Sequence, residues 1–135
     1  MRALTDTSGI IALLDRSDKH HQDVVKLLQT IEFVVPISVL PEVDYMVTKY
    51  LGEQVSRVFL EDISNQKFSY LTLDNMDIKQ TAKFMKMYAD IPIGFVDASL
   101  AALADRHQIQ NILTLDRRYF NLIRSQLFTH FNLLP

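Results

Sequence analysis

The run Gly94-Phe95-Val96-Asp97-Ala98-Ser99-Leu100-Ala101-Ala102-Leu103-Ala104 is followed closely by Asn111-Ile112-Leu113-Thr114-Leu115-Asp116. Together they constrain the fold more than any other part of the chain. Ala and Leu dominate the first piece, and Pro92 and Gly94 punctuate its start, so it reads as a helix. With about 100° of rotation per residue, Asp97 shares a face with Leu100, Ala101 and Ala104. A carboxylate on an apolar, small-residue face is costly unless something neutralises it. The second piece reads as a buried strand ending in Asp116. Acids at the carboxyl ends of such strands sit where open α/β sheets hold their ligands.

The segments before this pair repeat the theme. Arg2–Thr5 is a short strand that runs into Asp6-Thr7-Ser8-Gly9, where Thr7 or Ser8 is suited to cap a helix bearing Ile10, Ile11, Leu13 and Leu14. Asp6 then lies at a strand-to-helix turn, as a cap acid or as a site acid. A polar loop from Asp15 to His21 precedes a helix with Val24, Val25, Leu27, Leu28 and Ile31. His20-His21 does not read as a metal pair, because adjacent helical positions diverge and no third ligand stands nearby. Phe33–Ile37 is a strand that Pro36 ends or places near an edge. Ser38 is expected to cap a helix with Val39, Leu40, Val43, Met46, Val47 and Tyr50 on one face, closed by Gly52. Glu42 borders that face in the first turns.

Glu53–Ser64 is amphipathic, and Phe68–Leu73 alternates as a strand up to Asp74. A helix with Ile78, Ala82, Met85 and Tyr88 inward follows. Arg117–Ser125 is expected to form a short helix and Phe128–Leu133 a last edge strand. With no repeat, linker or low-complexity segment, the expectation is one domain spanning residues 1–135. Strands alternating with helices predict a three-layer α/β/α sandwich with a mostly parallel central sheet.

Composition narrows the chemistry. There is no cysteine, which removes thiolate metal sites and disulfides and fits a reducing, cytoplasmic setting. No apolar run approaches the roughly 18 residues of a membrane span, and an acid at Asp6 interrupts any signal-peptide core. A net charge of −2 argues against a broad polybasic surface, so a nucleic acid would be held by local patches, by metals or by a dimer. In a parallel sheet Asp6 and Asp116 end strands at one edge, and the helices bearing Glu42 and Asp97 start from it. Four carboxylates in one cleft do not all stay ionised without cations. Hard divalent ions, Mg²⁺ or Mn²⁺, suit an all-oxygen set and phosphoryl chemistry.

The ordered set Asp6-Thr7-Ser8, Glu42 within Val39-Leu40-Pro41-Glu42-Val43, Phe95-Val96-Asp97-Ala98 and Leu113-Thr114-Leu115-Asp116-Arg117-Arg118-Tyr119-Phe120 resembles the PIN-domain nucleases, most of all their VapC-type toxins. The resemblance covers essentially the whole chain. It implies that Asp6, Glu42, Asp97 and Asp116 are the acidic metal-binding and catalytic residues, with Ser8 and Thr114 as supporting hydroxyls. It further implies a Mg²⁺- or Mn²⁺-dependent endoribonuclease, a homodimer, and inhibition by a cognate VapB-like antitoxin. On this reading Asp6, Asp97 and Asp116 hold the principal metal, Glu42 serves a second or weaker site, and Arg117 or Arg118 contacts an RNA phosphate.

Other α/β folds with clustered acids fit less well. A receiver-type phosphoacceptor needs a Lys where Asp116 stands, and a haloacid-dehalogenase-type phosphatase needs an Asp where Ser8 stands. A PIN-like module that binds RNA or a partner without cutting is the remaining alternative.

Overall fold

The computed structural model describes residues 1–135. In chain order it contains β1 (Arg2–Thr5), α1 (Thr7–Leu14), α2 (His21–Leu28), β2 (Glu32–Pro36), α3 (Leu40–Leu51), α4 (Glu53–Ser64), β3 (Ser69–Leu71), α5 (Asn75–Met87), α6 (Phe95–His107), β4 (Asn111–Leu113) and β5 (Asn132–Leu134). The strands form one sheet in the order β3-β2-β1-β4-β5. Every pairing is parallel, with Leu4 facing Val34 on one side and Ile112 on the other. The chain moves outward from β1 to β2 and β3, then returns to the far side of β1 for β4 and β5. The strand order therefore reverses between β1 and β4, and a crevice opens beyond their carboxyl ends.

Strand alternation divides the core into two layers. Ala3, Phe33 and Leu113 face Ala12 and Val24, from α1 and α2. Leu4, Val34 and Ile112 face the larger cluster built by Val43, Val47, Phe59, Phe84, Leu100 and Leu103 from α3 to α6. This is the expected three-layer α/β/α arrangement. The Ala-rich run of α6 is buried from Ala98 to Ala104, which brings the helix close against its neighbours. No helix is long and apolar enough to cross a membrane.

Several local expectations are corrected. Neither Thr7 nor Ser8 caps α1; Asp6 does, in keeping with its reading as a cap acid, accepting the Thr7 N–H at 2.9 Å. Ser38 caps nothing. It lies in a 3-10 turn, Ile37–Val39, and its hydroxyl is hydrogen-bonded to that of Ser99 at 2.7 Å, which ties this turn to α6. Tyr50 is 68% exposed rather than inward. Ile31 lies beyond the end of α2, although it is buried. Pro36 ends β2 as one of its two readings has it, and only the edge position fails, since β2 is an interior strand.

The buried face of α5 runs through Asp77, Thr81 and Phe84, while Ile78 and Met85 are exposed and Ala82 faces outward. Asp77 completes a capping box with Asp74 and pairs with Arg106 of α6. That ion pair lets an acid occupy an inward position and rotates the helix from its apolar reading. The stretch 117–125 is a series of turns rather than a helix. The backbone N–H of Arg124 goes to the Tyr88 hydroxyl at 2.8 Å, and those of Gln126 and Leu127 to the Asp105 carboxylate. Tertiary acceptors thus replace the carbonyls that would continue a helix. β5 covers Asn132–Leu134, shorter than Phe128–Leu133 and shifted toward the C-terminus.

Candidate active site

The crevice at the β1/β4 switch is fixed by backbone contacts before any acid enters it. The Asp6 N–H donates to the Leu113 carbonyl at 2.9 Å, extending the β1–β4 pairing by one bond. Gly9 lies against the same residue: a Cβ there would come within 2.7 Å of both the Leu113 carbonyl oxygen and its Cγ. Only hydrogen at this position lets α1 start so close to the end of β4.

Polar atoms then lock the two strand ends together. Thr114, fully buried, donates its hydroxyl to Asp6 Oδ2 at 2.8 Å. The Thr114 hydroxyl oxygen itself accepts the Asp116 N–H at 3.1 Å and lies 3.3 Å from Ser8 Oγ. Ser8 in turn accepts the Leu115 N–H at 2.9 Å. One donor chain therefore runs from the backbone at 115–116 through two hydroxyls into Asp6. Glu42 enters from the first turn of α3 and accepts a long contact, 3.4 Å, from the Thr7 hydroxyl. Asp97 enters from the first turn of α6.

All four acids, with Ser8, line one cleft of about 390 Å³. Of the sequence-predicted residues only Thr114 and Arg117 lie off its wall. Thr114 sits beneath it, and Arg117 turns away to donate to the Pro135 carbonyl at 2.7 Å. Arg118 is at the cleft, forked onto Asp116 by two bonds of 3.0 Å. Thr7, Gly9, Phe95 and Tyr119 also shape the site and escaped the sequence reading of it. The Gly directly after Asp-Thr-Ser and the Phe two residues before Asp97 were the available signals.

Electrostatics separate the acids. Burial is the main cause holding the Asp6 carboxyl above its ordinary range, against the lowering bonds from Thr114 and Thr7; Glu42 and Asp116 add to the rise. Asp97 is pushed up to about 6, first by burial and then by Asp6, Asp116 and Glu42, with Arg118 opposing. Asp116 is held below its ordinary value, chiefly by the hydrogen bonds from Arg118.

Asp97 is half-buried, and no hydrogen bond offsets the rise in its pKa. Elsewhere in the chain, inward acids have partners: Thr114 for Asp6, Arg106 for Asp77. A carboxylate facing three others with no donor of its own matches an exogenous cation. The side chains as they stand do not close into a group of three or more ready ligands. The fork of Arg118 onto Asp116 commits both Asp116 oxygens. The all-oxygen donor set fits a hard divalent ion once that fork opens.

A model of the PIN domain matches residues 3–124. The chain belongs to the PIN domain family. Within that family it is similar to the ribonuclease VapC26 of Mycobacterium tuberculosis, with 29% identity over 98% of this chain and 99% of the relative. Among solved structures this PIN domain is similar to Mycobacterium tuberculosis VapC20, a toxin that cleaves the sarcin-ricin loop. That match has a TM-score of 0.73 and 20% identity, covering 82% of this chain and 86% of the other. It is also similar to the DNA-bound VapBC of Salmonella typhimurium, with a TM-score of 0.71 and 18% identity over 98% and 96% of the two chains. VapBC2 of Rickettsia felis, bound to a promoter fragment, matches with a TM-score of 0.68 and 15% identity over 98% and 97%. At these identities the structural matches establish the fold, which agrees with the sheet order and layers above.

Proposed function

We propose that this PIN domain is a divalent-metal-dependent endoribonuclease, the toxin of a toxin–antitoxin pair, acting in the cytoplasm. The observation that carries the reading is Asp97, a half-buried acid without a hydrogen-bond donor, facing Asp6, Glu42 and Asp116 across one cleft. Its similarity to a VapC ribonuclease over nearly the full length supports RNA as the substrate.

Asp6, Asp97 and Asp116 would hold the principal ion, Mg²⁺ or Mn²⁺, with Glu42 at a weaker site. When bound, the ion supplies Lewis-acid stabilisation of the phosphodiester and lowers the pKa of a nearby water. The chain's own residues do the rest. Thr114 and Ser8 fix the orientation of Asp6. Burial and the neighbouring acids raise the Asp6 and Asp97 carboxyls; a cation held there would favour their ionised forms, in which either would accept a proton from the attacking water. Arg118 leaves Asp116 to hold a phosphate oxygen, for which its planar fork is suited.

The acidic cleft also fits the basic side chain of a VapB-like antitoxin, which would take the place of the cation. The matches to VapBC complexes support such a partner, and a homodimer completes the reading.

The test is cleavage of a mixed RNA pool by purified, antitoxin-free protein with Mg²⁺, with Mn²⁺ and with chelator, beside Asp97→Asn. Metal-dependent cutting that Asp97→Asn lacks is the expected result. A folded protein that binds RNA but cuts nothing under either metal would instead be a binding module.

A further inference from the structure

A second groove, of about 630 Å³, opens beside the acidic cleft, between α2 and the turn that follows β4. Leu115 lines this groove and Asp116 lines the cleft, so two consecutive residues divide them. Ser8, on the cleft wall, takes the Leu115 N–H at 2.9 Å and fixes the divide. Two cations from distant segments converge on the groove: Lys26, in the last turn of α2, and Arg117. Neither forms an ion pair, whereas Arg57, Lys67, Arg106 and Arg118 all do. Asp23 lies in the same groove, three residues before Lys26, and pairs with neither cation. Arg117 gives one N–H to the Pro135 carbonyl and keeps the other donors of its fork free.

We propose that this groove is a phosphate path, in which Lys26 and Arg117 hold the RNA backbone next to the phosphodiester that is cut. This rests on the reading of the cleft as a ribonuclease site. A polyanion is drawn to unpaired cations and releases counterions on meeting them. Four carboxylates repel that polyanion, and a net charge of −2 provides no broad basic surface to offset them. Local cations beside the acids supply the attraction instead. The two consecutive arginines serve the two sides of the wall. Arg118 stays at the cleft with Asp116, while Arg117 lines the groove. A strand that crosses between Leu115 and Asp116 therefore meets a guanidinium on either side. Gln29 and Thr30 add neutral groups of the kind that contact phosphates. Such contacts fix affinity and register and carry no choice of base.

Binding and cutting are measured separately. The binding experiment uses Asp97→Asn protein with Mg²⁺ and dye-labelled RNAs of unrelated sequence, read by fluorescence anisotropy over a series of salt concentrations. Adding Lys26→Gln or Arg117→Gln should weaken binding about fivefold near 0.1 M salt and lower the salt slope by about 0.7–0.9, equally for every RNA. Arg117→Lys keeps the charge and should retain most of the affinity. Asp23→Asn removes the acid of the groove and should raise the affinity, which a merely structural role would not require. Lys79→Gln removes an equal charge from α5, on the opposite face of the sheet, and should leave binding unchanged.

An unchanged salt slope in either Gln variant, an equal loss with Lys79→Gln, no rescue by Arg117→Lys or no gain with Asp23→Asn would each overturn the path, as would absence of RNA binding. Wild-type cleavage with metal then judges the ribonuclease reading by itself. In that background Lys26→Gln should raise KM and leave kcat unchanged, because it removes binding that substrate and transition state share. Cutting without the groove signature removes the path alone. The signature without cutting removes the nuclease and leaves the groove as part of an RNA-binding surface.

Discussion

Gly9 and Leu113 touch across the start of α1 and the end of β4, closer than any side chain at position 9 allows. Asp6 and Thr114 flank this contact, so the 2.8 Å bond between them depends on it. Gly9→Ala is expected to push α1 off β4 against a backbone carbonyl that has little room to yield. The cost should be about 1–3 kcal/mol, read as a lower denaturant midpoint at unchanged slope, with loss of cleavage.

Thr114→Val preserves shape and removes the hydroxyl that joins both strand ends. Asp6 Oδ2 loses its donor, and the Asp116 N–H and Ser8 hydroxyl lose an acceptor. A destabilisation of about 1–3 kcal/mol is expected, because buried polar groups are left without partners. The Asp6 carboxyl should rise further, since its main lowering bond has gone. Denaturant titration reads the first effect, and NMR titration of the Asp6 carboxyl carbon reads the second.

Asp97→Asn should abolish cleavage, by at least about a hundredfold, while keeping or raising the stability of metal-free protein. It removes a charge that three neighbouring acids repel. Unfolding of this variant at low denaturant would make Asp97 a structural acid instead.

The fork between Arg118 and Asp116 lies at the mouth of the cleft and is largely exposed. Arg118→Ala should free Asp116 and tighten Mn²⁺ binding measured by calorimetry, by no more than about fivefold, as expected for an exposed pair. RNA cleavage should nonetheless slow, because a phosphate contact is lost. Unchanged Mn²⁺ affinity together with unchanged cleavage would leave Arg118 as a surface charge.

The stability of metal-free protein should depend on pH through Asp97. Its carboxyl titrates at about 6 in the folded chain against an ordinary value of 3.8. Between these values the folded state keeps a proton that the unfolded state has released. Stability therefore falls as pH rises through this window and stays lower above it, by an amount of order 1 kcal/mol once solvent screening is allowed for. Asp97→Asn should flatten the profile. Mn²⁺ binding should weaken below about pH 6, where it must displace the Asp97 proton. Denaturant midpoints and calorimetry across the window read both effects.

The sequence by itself determined the layers, the parallel sheet and the elements on which Asp6, Glu42, Asp97 and Asp116 ride. These follow from apolar periodicity and from acids standing at strand or helix ends, both of which are local properties of the chain. Only the tertiary structure decided the rest. The inward face of α5 follows from Arg106, which lies on another helix and pairs with Asp77. The turns at 117–125 give way to no helix because the Tyr88 hydroxyl takes the Arg124 N–H and the Asp105 carboxylate takes those of Gln126 and Leu127 just beyond. Neither hydroxyl neighbour of Asp6 caps α1, because the Ser8 hydroxyl takes the Leu115 N–H from the far end of the chain and the Thr7 hydroxyl turns to Glu42. In each case the deciding partner is distant in sequence. Periodicity shows which residues want burial, but it does not show which polar group will be waiting when they arrive.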